Sequence, residues 1–149
     1  MDETEYRDAY RRLNPRRCLF EKAINARRAT CPLSRRFNLA DREGVACTDD
    51  AAHARCAALL PLLRRKAIFA LGLTEAEGPL PHAREMKVQV GGMLGVQERL
   101  HPERDGGQVE DIAGLLREAA ANWGDAEAWP WQAIVRSVVG FNVRKPRRG

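Results

Sequence analysis

Beyond Cys56 the sequence contains no cysteine, and it contains no pair of cysteines close enough to form a tight metal-binding knuckle. Other signatures are missing as well. No apolar run approaches the ~20 residues needed to span a bilayer, so no membrane crossing is expected. There is no phosphate-binding glycine loop, no dinucleotide fingerprint, no His-Glu-x-x-His and no nucleophile elbow. The carboxylates are scattered over cap and surface positions and form no acid/base pair, so the sequence offers no positive sign of an enzyme. Aromatic residues make up only 6% of the chain, and Trp123, Trp129 and Trp131 fall in core-forming segments. A platform for stacking single-stranded bases is therefore not expected.

The four cysteines present are Cys18, Cys31, Cys47 and Cys56, spaced C-x12-C-x15-C-x8-C. Four soft ligands confined to one stretch read as one site. The N-terminus is acidic and polar, unlike a signal peptide, and cytoplasmic residence is the default expectation. Thiols stay reduced there, which favours metal or redox chemistry over disulfides.

Four readings of these thiols compete. Free cysteine packs as a small hydrophobe, and Cys56 fits that reading best, on an apolar helical face. Structural zinc takes four thiolates, but usually from paired C-x2–4-C turns. An iron–sulfur cluster, most naturally 4Fe-4S, is larger and can take one thiolate from each of four separate segments. A thiol redox switch needs thiol pKa values lowered by nearby arginines. The cluster is the preferred reading, with electron transfer or redox sensing as the role. The alternative is a zinc-stabilised basic module that binds nucleic acid or a protein partner.

The formal net charge is +5. Such a balance argues for acidic partners, here an acidic redox protein, and for weak, non-specific nucleic-acid binding. The candidate contacts are Arg35, Arg36, Arg144, Lys145, Arg147 and Arg148. Arg17, Arg28, Arg35 and Arg36 lie close to the cysteines in sequence and would offset the charge of a cluster. His53, three residues before Cys56, is a substitute ligand or a supporting group.

The fold expected is all-α, a small bundle of six or seven helices in one domain over residues 1–142, with the cysteine site at 18–56 and a basic disordered tail at 143–149. Tyr6, Tyr10 and Leu13 mark a first helical stripe. Cys31-Pro32 reads as the start of a helix over Leu33–Arg42, with Gly44 ending it. Thr48-Asp49-Asp50 reads as the cap of a long helix from Ala51 to Leu71, kinked or broken at Pro61. Three cysteines thus precede helix starts, where N–H groups would face the thiolates. A helix over 82–100 contains Gly91 and Gly92, which predict either close approach of another element or a break.

Overall fold

The computed structural model describes residues 2–74 and 78–144. Lys145, Arg147 and Arg148 of the expected basic surface lie outside these residues.

The described residues form seven α-helices and one β-hairpin: α1 (Glu3–Leu13), α2 (Glu21–Asn25), β1 (Ser34–Leu39), β2 (Arg42–Cys47), α3 (Asp50–Ala67), α4 (His82–Met86), α5 (Gly92–Leu100), α6 (Ile112–Trp123) and α7 (Trp131–Gly140). The expected all-α fold is therefore wrong. The hairpin replaces the helix expected over Leu33–Arg42, so the class is mixed, mostly helical with a two-stranded antiparallel sheet.

The reason lies in Ala40 and Asp41. Both have positive φ, 50° and 66°, and Leu39 pairs directly with Arg42. A two-residue loop with both residues left-handed matches the twist of an antiparallel hairpin. Pro32 then precedes a strand rather than opening a helix. Gly44 ends nothing. It sits within β2 opposite Phe37, and a Cβ there would meet the Phe37 ring at 2.5 Å. The glycine lets the ring lie across the hairpin.

The segment after Cys18 is also shorter than its apolar spacing suggests. α2 stops at Asn25, where Arg27 takes a left-handed φ of 61°. The N–H of Arg28 donates to Ala23 at 3.1 Å and that of Arg27 to Ile24 at 3.0 Å. This is the double bond pattern that closes a helix before a change of direction. It sends the chain into the loop bearing Cys31.

α3 runs without interruption through Pro61, so of the kink or break expected there, the break does not occur. Asp49 caps it, accepting the Ala52 N–H at 2.8 Å. α4 and α5 are continuous through a π-helical turn over Lys87–Gly91. Here the expected close approach is found. A Cβ on Gly91 would lie 2.9 Å from the Ser137 carbonyl oxygen and from Val138 Cα, and one on Gly95 3.0 Å from Ile134 Cα. α7 thus packs backbone to backbone on this helix. Gly92 makes room for Leu63 of α3 in the same way.

One hydrophobic cluster runs from Phe20 to Phe141, with Leu60, Leu63, Met93, Ile112, Leu115 and Ile134 fully buried within it. Val143 packs against it, so the first residue of the expected tail belongs to the fold. The cluster also encloses an ion pair. Arg64 Nε and Nη2 donate to the two oxygens of Glu85 at 3.0 and 2.9 Å. Gln89 and the Leu80 N–H donate to the same carboxylate. Gln89 in turn accepts the Ala23 N–H at 3.2 Å, which joins the π-helical turn to α2.

Candidate metal centre

Three backbone connections gather the cysteines. First, residues 16–18 lie antiparallel along β2. The Cys18 N–H donates to Val45 at 3.0 Å, and the Cys47 N–H donates to Arg16 at 2.9 Å. Second, the hairpin register sets Ser34 opposite Cys47, and Ser34 donates through Oγ to the Cys31 carbonyl at 2.6 Å. Third, the loop before Cys31 is stitched to the loop before α6. The Thr30 N–H donates to Val109, the Val109 N–H to Arg28 and the Ile112 N–H to Thr30, all within 3.0 Å. Cys56, in the second turn of α3, completes the set.

All four cysteines line one small cavity, together with Leu19, Phe20, Leu33, Ser34, Ala52, His53, Ile112 and Ala113. Each is partly buried and none is in a disulfide. The lining is otherwise apolar except for Ser34 and His53. The contribution of α6 could not be read from the cysteine spacing. Ile112 lies far along the chain and carries no ligand chemistry, and only its helix periodicity was visible.

The cavity holds about 20 Å³, room for roughly one water. Among the described residues no three His, Cys, Asp or Glu side chains are grouped closely enough to hold a single metal ion.

Electrostatics at the site act on the thiols. Burial pushes Cys18 up to about 12, with the neighbouring Cys31 and Cys47 raising it further and a hydrogen bond from the Phe20 N–H opposing them. Burial likewise pushes Cys56 up to about 12, reinforced by Cys18, Cys31 and Cys47 and opposed by Arg55. Each thiolate would suffer from desolvation and from like charge nearby, the two effects that a bound cation relieves. The first turns of α3 and α6 also line the cavity, through Ala52, Ile112 and Ala113. Helix N-termini carry partial positive charge. Cys47 precedes α3 and Cys18 precedes α2, as expected, whereas Cys31 precedes a strand.

The arginines do not line the cavity as anticipated. Arg17 pairs with Glu21 at 2.6 Å and lies over the Tyr10 ring. Arg28 lies over the Phe141 ring, and Arg36 donates to the Ile24 carbonyl at 2.7 Å. Arg35 and Arg36 are adjacent on β1, so they leave opposite faces of the hairpin rather than forming one patch. Arg144 is exposed beyond α7. His53 lines the cavity, and its Nε2 lies 3.0 Å from the Arg17 carbonyl, so as a donor it ties α3 to the segment carrying Cys18.

No family model, curated protein or solved structure matches this chain.

Proposed function

We propose that this protein holds one iron–sulfur cluster, of the 4Fe-4S type, through Cys18, Cys31, Cys47 and Cys56, and uses it to carry or sense electrons. The observation that supports this most directly is that four thiols from four separate segments line one otherwise apolar cavity. A zinc ion at Zn–S distances of about 2.3 Å needs its sulfurs roughly 3.8 Å apart. The described side chains show no such grouping, and the preference for a cluster over a zinc-stabilised module rests on the placement of the four cysteines on four separate segments. A thiol switch is disfavoured because a reactive cysteine needs a depressed pKa, and burial drives Cys18 and Cys56 the other way.

The donor set and its apolar surroundings suit a cluster, whose charge the first turns of α3 and α6 would help balance. The present cavity is smaller than a cubane, so loading has to spread the turns that bear the sulfurs. Such a cluster would take up one electron and pass one on without atom transfer. The net charge of +5 favours an acidic redox protein as partner, in the cytoplasm. No helix among the described residues is long and apolar enough to cross a membrane.

Anaerobic reconstitution of wild-type protein and of four single Cys→Ser variants tests this reading. Iron and acid-labile sulfide should load together in the wild type and fall sharply in each variant. Full loading of the Cys31→Ser and Cys47→Ser variants would contradict it.

A further inference from the structure

A second concavity lies away from the cysteines. It is a groove of about 770 Å³ between α5, α7, the 101–106 loop and Arg28. We infer that it binds a small polyanion, a molecule carrying two or more phosphate or carboxylate groups.

The argument rests on unbalanced charge in a confined place. Arg28, Arg99 and Arg136 come from three different segments and all line the groove. Among the described residues none of the three has a carboxylate within ion-pair distance. The remaining lining charges are accounted for. Arg104 pairs with Glu110 at 3.3 Å, and His101 is bonded to Glu103 and Glu118. Glu98 is the one carboxylate in the lining.

A plainer explanation is that Arg99 and Arg136 merely complement the negative C-terminal ends of α5 and α7. Each such end is worth roughly half a negative charge. The two ends together with Glu98 supply about two negative charges against three guanidinium groups. The last carbonyls of α7 have a cation of their own besides, since Lys87 Nζ donates to Val139 and Phe141 at 3.1 and 2.7 Å. Within the lining itself three guanidinium groups stay without a carboxylate partner, in a cleft whose walls focus their field.

The geometry suits a compact ligand. The volume falls within the ~300–1,000 Å³ of small-molecule sites. Arg28 is held in place, its guanidinium 4.7 Å from the centre of the Phe141 ring. A fork fixed in this way loses little freedom on gripping a phosphate or carboxylate.

Calorimetric titration at low salt with pyrophosphate and with citrate tests the inference and distinguishes the two anion chemistries. The proteins compared are wild type, Arg136→Gln, the Arg99→Gln/Arg136→Gln double variant, and Arg35→Gln, which lies outside the groove lining, as a charge control. Both groove arginines are exposed, so melting should be unchanged. Saturable one-to-one binding of at least one anion is expected, weakened about tenfold or more in the double variant, less in Arg136→Gln, and kept in Arg35→Gln. Lack of saturable binding by either anion, equal affinity in the double variant, or equal weakening in Arg35→Gln would overturn it.

Discussion

Cys18 and Cys47 sit on neighbouring antiparallel backbones, the first bonded through its N–H to Val45 and the second through its N–H to Arg16, at 3.0 and 2.9 Å. Two thiols separated by 28 residues in sequence are thereby paired by main chain alone. Beneath them Glu21 is nearly fully buried and accepts the Val45 N–H at 2.8 Å, the Arg17 guanidinium and the Tyr10 hydroxyl. Main-chain bonds and this polar frame join the two segments.

That frame sets the reactivity of the thiols. With burial holding Cys18 and Cys56 at about 12, metal-free protein should alkylate slowly at these two positions at neutral pH. Their rates should still be rising above about pH 10.5, where an ordinary thiol has reached its plateau. The same shift carries a stability consequence. The folded thiols stay protonated while unfolded ones ionise near 9.0, so stability is intact below pH 9 and falls as pH rises towards 12. Mass-resolved alkylation and alkaline melting curves check both. Rapid alkylation of Cys18 at pH 7 would show an exposed, activated thiol.

A second prediction concerns Gly91. Alanine would ordinarily stabilise a helix by about 1 kcal/mol over glycine. At this position its Cβ would lie 2.9 Å from the Ser137 carbonyl oxygen, Val138 Cα and Phe141 Cβ. Two of these are backbone atoms and cannot swing away. Gly91→Ala should therefore destabilise by ~1–3 kcal/mol, read as a lower urea midpoint with unchanged slope. A higher midpoint would mean that α7 is not seated on this turn.

How far the sequence reveals the molecule differs from element to element. Capped or strongly periodic helices such as α3 and α6 were legible, as was the glycine contact under α7, because each depends on local spacing. Residues 31–47 were misread. Pro32 is compatible with either a helix start or an extended chain, and the deciding feature is a left-handed Ala40-Asp41 turn with no glycine in it. The four cysteines were visible as a set. Their supporting shell was not, since Ile112 and Ala113 are brought to the site by long-range contacts such as the pairing of Ala29 with Val109 and the bond from the Ile112 N–H to Thr30. The groove around Arg28, Arg99 and Arg136 had no signal at all, because nothing in the sequence brings those three positions together.

The buried Arg64–Glu85 pair gives a third prediction. Removing the carboxylate leaves a guanidinium that is 7% exposed without its counter-ion. Glu85→Ala should cost ~3–5 kcal/mol, lowering the melting temperature by roughly 10 °C or more. Burial alone would raise the pKa of Glu85, but hydrogen bonds from Arg64, the Leu80 N–H and Gln89 outweigh it and hold the carboxyl below its ordinary 4.5. Its contribution is therefore present above pH 4.5 and lost as pH falls below that value. The Arg64→Met/Glu85→Leu double variant should lack this acid-sensitive component while keeping a cooperative melt. An acid limb identical to that of the wild type would place the sensitivity elsewhere.

The most direct test of the central claim is elemental and spectroscopic analysis of protein isolated under strict exclusion of oxygen. The account predicts iron and acid-labile sulfide in equal amounts, four of each per chain for a 4Fe-4S cluster. It also predicts a broad visible absorption that dithionite bleaches and re-oxidation restores. Colourless protein carrying one zinc per chain, or metal-free protein with four titratable thiols that does not load iron and sulfide on reconstitution, would contradict it.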